Sequence, residues 1–503
     1  MRFLYLKSQR IFRSRTFRSG HLDSINFRNF SFRIWLSAFC LSLPFLFQCT
    51  QSNLNNPSDS HSKAYFETAL WNCLIQSVPC YEITQQNKGN KQWTRLLGGT
   101  TAVTTTSLAS ATDFEGNTYI AGKVDGSLAG QTKVSGGTNT DIFLAKYDST
   151  GVRLWVRQMG STSSYPSDIQ SIHVDSFGDI ILTGATFGFF DGFTTAQFGS
   201  TLIKFSKDGD RLWTRIFYAN SSLDIAGIGV TTDLQGNIYI TGHTELTNIN
   251  GEIVSGDYNV FVFKYDRDGT PIWTRLLGGP SGTLVYGLRA TYDSSSNQIY
   301  IVGHALGPGN FVGLTLGINQ ESFILAFHPD GYYTWAKNLG QTGTSVWIRG
   351  VSADKRGNFY ISGDVTASFG GENFSGTSGE LLVKFDKSGN REWVRLRGAG
   401  VGTTTTSRGV YADNAGNVYT MGWTTGNLSG LSLSGTQDMY LSKYHFNGNL
   451  EWTRLSGSTL VTLDGTALSS DRYGVLYLTG GTTGNLDAQT KTGIKDAFVI
   501  KYK

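Results

Sequence analysis

The tripeptide Trp93-Thr94-Arg95 is the first of seven copies of one motif, in which a tryptophan is followed two residues later by arginine or lysine. The tryptophans stand at positions 93, 155, 213, 273, 335, 393 and 452, so that successive copies are 58 to 62 residues apart. A constant period of this size is the signature of a repeat architecture. The chain therefore specifies a scaffold more clearly than it specifies a task.

Each repeat contains segments that predict four β-strands. In the first repeat, one strand begins at Trp93, a second precedes the turn at residues 113–117, and the others cover residues 118–122 and 141–147. The turn reads Asp-Phe-Glu-Gly-Asn and is typical of a hairpin, because Asp caps backbone N–H groups and Gly accepts a positive φ. It recurs in every repeat, although the fourth copy, at residues 293–297, lacks the glycine.

Four antiparallel strands in about 60 residues make one propeller blade. We therefore expect an all-β fold, a seven-bladed β-propeller over residues 93–503. The chain ends in a strand-like segment that no Trp strand follows, while Trp93 has no such segment before it. We predict that residues 93–97 pair with residues 496–503 and close the ring as the outer strand of the last blade. The seven tryptophans should then be packing residues between blades.

The repeats resemble the SBBP family, a seven-bladed β-propeller repeat of exported bacterial proteins. The likeness lies in Asp-x-x-Gly-Asn-x-Tyr-x-x-Gly, as at residues 233–242, and in Asp-x-Phe-x-x-Lys-Tyr-Asp-x-x-Gly-x-x-x-Trp, and it covers about 93–503. This resemblance implies a propeller at the cell envelope or surface and implies no catalytic residues.

Residues 147–155 are also similar to the tryptophan-docking repeat of quinoprotein dehydrogenases. Those enzymes normally have eight blades, and many have a vicinal cysteine pair and calcium ligands, whereas this chain has seven units and no adjacent cysteines. The same repeat style occurs in a propeller lipoprotein that supports outer-membrane protein assembly. An assembly scaffold is therefore an alternative role.

Charge is concentrated at the start of the chain. Residues 1–33 carry eight Arg or Lys and one acid, Asp23, a net +7. The whole chain is +4, so the remainder is −3 (+4 less +7), which gives no support for nucleic-acid binding. Glycine is abundant (62), proline scarce (8) and only 16% of residues are charged, which suits an all-β protein with many tight turns.

A signal peptide is predicted over residues 1–48, because the basic stretch is followed by a short apolar run at 34–47. The run ends in Leu46-Phe47-Gln48-Cys49, which resembles a bacterial lipobox, although Gln48 replaces the usual small residue. We expect lipid attachment at Cys49 and localisation at the bacterial outer membrane or cell surface. Plain secretion and an uncleaved membrane anchor are the alternatives.

Residues 49–92 are predicted to be a polar tether followed by a short segment before the propeller. Cys73 and Cys80 lie in this segment. In an oxidising compartment they would form a local disulfide, and two reduced thiols are the alternative. No zinc pattern fits their spacing.

Equivalent positions in a propeller lie on one face. The position after the glycine of the Tyr-Ile-x-Gly strand differs in type from repeat to repeat. We expect it to form a ligand-facing ring, and variable surface side chains without a ligand are the alternative. Its members are Lys123, Ala185, His243, His304, Asp364, Trp423 and Gly481. His and Asp are metal-binding types, but blades separate them, so no metal is predicted here. No cofactor is expected, and structural calcium at the Asp turns stays an open alternative.

These observations predict a non-catalytic binding or scaffold module at the bacterial cell envelope. Its variable, Thr/Ser/Asn/Gly-rich loops before the Phe-Leu-x-Lys strands would be presented on a rigid ring, where binding normally resides. Solvated connections without a binding role are the alternative for these loops. We expect a membrane partner through the lipid, a protein or glycan ligand, no nucleic acid, and a monomer. The alternatives are an outer-membrane assembly scaffold and an envelope propeller enzyme of the lyase, glycosidase or quinoprotein type.

Overall fold

A computed structural model describes residues 88–136, 139–161, 167–190, 193–218, 223–317, 321–340 and 343–503. The signal peptide, Cys49, Cys73 and Cys80 lie outside the described residues. The described part of the chain contains no helix with the length and apolarity that a membrane crossing requires.

The described residues form strands throughout. In chain order these are β1 (Lys91–Leu97), β2 (Thr105–Thr112), β3 (Thr118–Val124), β4 (Asp141–Tyr147), β5 (Arg153–Met159), β6 (Asp168–Val174), β7 (Ile180–Phe190), β8 (Phe193–Phe205), β9 (Arg211–Tyr218), β10 (Ile225–Thr232), β11 (Ile238–Thr244), β12 (Asn248–Ile249), β13 (Glu252–Ile253), β14 (Asn259–Tyr265), β15 (Pro271–Leu277), β16 (Leu284–Asp293), β17 (Gln298–Leu306), β18 (Gly309–Phe311), β19 (Leu314–Leu316), β20 (Glu321–Phe327), β21 (Tyr333–Asn338), β22 (Val346–Ala353), β23 (Asn358–Val365), β24 (Gly379–Asp386), β25 (Arg391–Arg397), β26 (Thr405–Ala412), β27 (Val418–Thr424), β28 (Asp438–Tyr444), β29 (Leu450–Ser456), β30 (Leu463–Ser470), β31 (Leu476–Thr482) and β32 (Asp496–Tyr502).

Seven four-stranded antiparallel sheets arise from these strands and are numbered here as blades 1 to 7. Their strand orders are β2-β3-β4-β5, β6-β7-β8-β9, β10-β11-β14-β15, β16-β17-β20-β21, β22-β23-β24-β25, β26-β27-β28-β29 and β30-β31-β32-β1. The first strands contact one another in a closed cycle, from β2 through β6, β10, β16, β22, β26 and β30 back to β2. The all-β, seven-bladed prediction is confirmed, with the first strand of each blade bordering the central channel.

The last blade contains both ends of the propeller. Strand β1 pairs antiparallel with β32, with Trp93 opposite Lys501 and Leu97 opposite Ala497. Two backbone hydrogen bonds of 2.9 Å between Asn90 and Lys503 extend the pairing beyond the strands. Strand β1 therefore supplies the outer strand of blade 7.

The core is divided among the blade interfaces. Both faces of each sheet are buried against neighbours, so the second and third strands are almost wholly buried, and β4 is buried along its whole length. One hydrophobic cluster occupies each junction in the described residues. The cluster between blades 5 and 6 has only six buried members, because charged side chains share that interface.

Candidate functional site at the channel mouth

The constant motif residues bind one blade to the next. In six of the seven copies the Arg of Trp-x-Arg donates through Nε to a glycine carbonyl in the adjoining turn, at 2.7–3.2 Å. The pairs are Arg95–Gly151, Arg157–Gly209, Arg215–Gly269, Arg275–Gly331, Arg395–Gly448 and Arg454–Gly89. A Cβ on Gly151, which has φ +87°, would lie 2.9 Å from the Trp93 ring. The tryptophans are thus packing residues between blades, as predicted.

Lysines of the Lys-Tyr segment make a second set of links. Lys146, Lys264 and Lys501 each donate to a turn carbonyl of the adjoining blade, at 2.6–2.9 Å. These links, like those of the arginines, lie at the end of the ring that carries the turns between the third and fourth strands. We call this end the turn face. The repeated residues are therefore accounted for by assembly of the ring.

The Asp turns also lie on the turn face and are closed by their own chain. Asp113 Oδ1 accepts the N–H groups of Glu115 and Asn117, and Oδ2 accepts the Asn117 amide and the Tyr119 hydroxyl, at 2.8–3.0 Å. In blade 2, Ile181 replaces the tyrosine and Lys204 pairs with Asp175 instead, at 3.1 Å. The carboxylates thus serve as structural acceptors within the protein.

The opposite end of the ring carries the loops between the second and third strands, and we call it the loop face. All seven positions of the predicted ring lie there, within the last three residues of the second strands except in blade 2, where β7 continues beyond Ala185 to Phe190. Their cross-strand partners on the channel-bordering strands are Thr106, Asp168, Ala226, Tyr286, Trp347, Thr406 and Asp464. These two rings of residues together define the channel mouth.

Blades 3 and 4 contribute an aromatic cluster to the mouth. The His243 ring lies 5.0 Å from Tyr286 and 5.7 Å from Tyr258, and the two tyrosine rings are 5.1 Å apart. His243 Nε2 is 3.8 Å from a carboxylate oxygen of Asp224. Burial lowers the pKa of His243, against the opposing effects of Asp224 and Glu245. At neutral pH the cluster therefore presents a neutral imidazole beside two half-buried tyrosines.

Blades 4 and 5 contribute the second half of this aromatic row. His304 packs edge-on against Trp347 at 5.2 Å, and burial, followed by the Arg349 charge, lowers the pKa of His304 to about 3. The Arg349 guanidinium lies over Trp347 at 5.4 Å and its Nε is 3.2 Å from Asp364 Oδ2. Ser407 N–H of blade 6 donates to Asp364 Oδ1 at 2.8 Å. Burial raises the pKa of Asp364 to about 6, although Arg349 opposes this rise.

A β-bulge at one equivalent position sets the channel lining. Each channel-bordering strand shifts register by one residue there, and the extra residue is half-buried. These residues are Leu108, Gln170, Ile228, Leu288, Arg349, Arg408 and Thr466. Bulges commonly re-aim a side chain near a site. Sequence reasoning missed this ring, because a bulge leaves the spacing of the motifs unchanged.

Blades 6, 7, 1 and 2 complete the mouth differently. Trp423 is half-buried, and Gly481 is covered by Lys495, whose Nζ pairs with Asp464 Oδ2 at 2.5 Å. Lys123 is exposed. Burial raises the pKa of Asp168, and the positive charge of Lys123 opposes this rise. The residues of the predicted ring thus do not gather at one site. His304 and Asp364 both adjoin the Trp347–Arg349 pair, while Lys123 and Trp423 lie in other blades, away from that pair. Among the described residues no three His, Cys, Asp or Glu side chains are placed to hold a metal ion.

The loops before the third strands are ordered hairpins rather than open connections. In blades 1 and 3 to 7 each has a tight two-stranded tip and at least one buried apolar anchor: Leu128, Ile249, Phe311, Phe369, Leu428 and Leu486. Several contact the outer strand of their own blade, as in the 2.5 Å bond from Thr94 Oγ1 to Asp487 and the 3.0 Å bond from Asn250 to Thr274 Oγ1. These hairpins lie toward the rim of the loop face, away from the mouth.

The fold and its mouth define the class: a seven-bladed β-propeller built of four-stranded antiparallel blades. The family model for SBBP, described as a beta-propeller repeat, matches residues 392–429, so the chain carries an SBBP repeat.

Two curated proteins are similar over much of the chain. The regulatory protein FlaEY of Caulobacter vibrioides is 22% identical over 457 residues, which cover 82% of this chain and 46% of FlaEY. The uncharacterized WD repeat-containing protein L264 of Acanthamoeba polyphaga mimivirus is 23% identical over 374 residues, 56% of this chain and 26% of that protein. The chain therefore spans less than half the length of either relative.

Solved structures that are similar to this chain include an ulvan lyase of polysaccharide lyase family PL25, at 11% identity and a TM-score of 0.46. That comparison covers 77% of this chain and 93% of the lyase. The β-propeller domain of the Trilobed protease from Pyrococcus furiosus gives 9% identity and a TM-score of 0.41, with 80% and 98% covered. Neither likeness bears on what this chain does.

Proposed function

We propose that the chain is a non-catalytic binding module of the bacterial cell envelope and that its ligand is bound at the channel mouth. One observation carries this proposal. The residues that the repeats share are occupied by blade-to-blade bonds on the turn face, whereas the equivalent positions at the mouth hold unlike charged and aromatic side chains. Side chains that differ among otherwise equal blades on a rigid ring are a suitable basis for specific recognition.

The aromatic row through Tyr258, Tyr286 and Trp347 provides the apolar surface for such a ligand. These side chains are half-buried, so each is held by its neighbours while part of its surface faces solvent. Aromatic residues lose little conformational entropy on binding and dominate the energetics of many binding surfaces. The rim hairpins would border the site without covering it.

Binding can be tested with the full exported chain against an array of bacterial envelope polysaccharides and peptides. We expect a ligand whose binding is lost in Trp347→Ala. The matched control is Tyr332→Ala, since Tyr332 is an exposed aromatic on the turn face. Equal loss of binding in both variants, or no loss in Trp347→Ala, would contradict a site at the mouth.

An envelope propeller enzyme is the second candidate, and one observation favours it. Asp364, with a pKa near 6, is bonded to Arg349 close to Trp347 and His304, so a carboxyl able to hold a proton at near-neutral pH adjoins a cation. Lyases and glycosidases use such groups as acids and bases. If the chain releases shortened products from a bound polysaccharide, and Asp364→Asn abolishes that release, the protein is an enzyme and not a non-catalytic binding module.

We further propose that the chain is exported, anchored at the outer membrane or cell surface by lipid on Cys49, and monomeric. The basic start, the short apolar run and the lipobox-like sequence support the anchor. The polar residues 50–63 would then serve as a tether between the lipid and the propeller.

A further inference from the structure

We propose that blades 4 to 6 form an oxyanion site at the channel mouth and that its ligand is an acidic saccharide, bound through carboxylate or sulfate groups by Arg349 and Arg408. This inference rests on the proposed function, which it makes chemically specific. It starts from the two arginines at the equivalent bulge positions of adjacent blades. The corresponding residues of the other blades are uncharged.

Arg408 has all of its donors available. Within the described part of the chain it donates no hydrogen bond and forms no ion pair, yet it is only half-exposed. Its pKa is lowered by burial and then by the nearby charge of Arg349. A guanidinium held close to another cation without a carboxylate of its own is an unfavourable arrangement for the empty protein. An anion between the two groups would relieve it.

Arg349 is only partly satisfied. Its Nε donates to Asp364, and neither terminal nitrogen donates to any described residue. A third guanidinium, that of Arg289, is close enough for Arg349 and Arg408 to contribute to the lowering of its pKa to about 10, after the larger effect of burial. Asp364 and Asp464 are the carboxylates that act on Arg408, and Lys495 already pairs with Asp464. Three arginines and Lys495 thus face two carboxylates, and the sector carries excess positive charge. Arginine forks match the planar geometry of carboxylate and sulfate oxygens.

The neighbouring side chains favour a saccharide as the carrier of that anion. Trp347 lies directly under Arg349, and Tyr286 and Tyr258 continue the aromatic row away from it. A sugar ring has apolar C–H faces that pack on flat aromatic surfaces, while its acid group reaches the arginines. An acidic peptide would use the arginines but would leave the aromatic row unexplained.

The test uses the full chain and oligogalacturonate, with the fully methyl-esterified oligomer as the uncharged match. We expect calorimetry to show binding of oligogalacturonate. The methyl ester should bind at least about tenfold more weakly, because it loses hydrogen bonds between the arginines and a charged group. Inorganic sulfate should compete with oligogalacturonate. Arg408→Gln and Arg349→Gln should each lose the preference for the acid. Arg408→Lys, which keeps the charge but not the fork, should lose part of it.

Arg153→Gln is the control, because Arg153 is an exposed arginine at the turn-face end of β5. Each variant is checked by thermal unfolding, and Arg408→Gln should unfold no earlier than the parent chain. Equal binding of acid and ester, or full binding by Arg408→Gln, would overturn the oxyanion site. Binding of poly-glutamate but not of oligogalacturonate would overturn the saccharide. A neutral ligand that depends on Trp347 and not on Arg408 would overturn this inference while leaving the proposed function standing.

Discussion

Arg397 and Glu380 form an ion pair inside the junction between blades 5 and 6, with 2.5 Å between Nη2 and Oε2. Glu380 is 1% exposed, and Tyr444 of blade 6 donates to the same carboxylate oxygen. Arg397 also donates to Thr453 Oγ1 at 2.7 Å. The cross-strand pair that corresponds to it in blade 1 is Ile142 with Met159. A buried charge pair thus stands where another blade has a hydrophobic contact.

Removal of one partner from this pair should destabilise the ring. We expect Arg397→Met to lower the free energy of unfolding by about 3–5 kcal/mol, because Glu380 would remain buried without its counter-charge. The double variant Glu380→Ile/Arg397→Met has the residue types that blade 1 carries at these positions. It should recover most of the lost free energy of unfolding. Urea unfolding followed by tryptophan fluorescence measures both. A double variant as unstable as the single one would show that the interface requires the charges themselves.

The junction between blades 4 and 5 lacks the usual arginine link. Lys337 replaces Arg after Trp335, and in the described residues neither the Lys337 ammonium nor the Trp335 indole N–H has a hydrogen-bond partner. The glycine carbonyl that arginine would reach belongs to Gly389, whose ideal Cβ position is 3.1 Å from Lys337 Cε. The acceptor is therefore close to this side chain.

We expect Lys337→Arg to stabilise the chain by about 0.5–1.5 kcal/mol, the net contribution of one added hydrogen bond. The reciprocal change Arg157→Lys should destabilise it by a similar amount, since Arg157 makes the corresponding bond to Gly209 at 2.8 Å. Thermal unfolding of both variants beside the parent compares the two junctions. A Lys337→Arg chain that unfolds earlier than the parent would refute the role assigned to the motif.

The fold could be predicted because its determinants are local and repeated. The turn aspartate, the strand-forming runs and the tryptophan each occur seven times, and the turn glycine occurs in six of the seven repeats. The strand-like segments at 93–97 and 496–503, each without a partner in its own repeat, indicate the pairing of β1 with β32. The fourth turn lacks the usual glycine, and there Asn297 takes the positive φ, at 52°. Asn is one of the few other residues that tolerate that conformation.

The mouth was predictable only in part. His243, His304 and Asp364 could be assigned to one face from their position in the repeat, but the sequence gives no distances between blades. Arg349 and Arg408 escaped notice because their role depends on a bulge that turns a half-buried strand residue toward the channel. The hairpin form of the variable loops could not be predicted, because a buried anchor such as Leu128 is one apolar residue in a polar segment.

Asp364 should make anion binding at the mouth depend on pH. Its carboxyl is bonded to Arg349 and Ser407, lies near Arg408, and pairs across the sheet with Glu380. With its pKa raised to about 6 by burial, Asp364 is charged above pH 6 and offsets one guanidinium. Oligogalacturonate should therefore bind more tightly as the pH falls from 8 to 5. Calorimetry across that range measures the change.

Ionisation of Asp364 should also lower the stability of the folded chain as the pH rises. The folded-state pKa of Asp364 lies above the ordinary value of 3.8, so between these pH values the folded chain binds more protons than the unfolded chain. The stabilisation from this proton is present at low pH and is lost as pH rises through about 6. Asp364→Asn should remove this component and should bind oligogalacturonate at pH 8 as the parent does at pH 5. A binding curve for Asp364→Asn that keeps the parent's pH dependence would exclude Asp364 as its source.

Lipid attachment at Cys49 predicts a specific chemical form of the mature chain. Mass spectrometry should find an N-terminus that begins with acylated Cys49, and the protein should partition into the detergent phase, because more than one acyl chain gives stable membrane attachment. Cys49→Ser should abolish the acylation and move any processed chain to the aqueous phase. Cys40→Ser is the matched control, since Cys40 lies within the predicted signal peptide and would be removed with it. An unmodified N-terminus beyond residue 49 in the parent chain would exclude the anchor and leave the propeller as a freely secreted binding module.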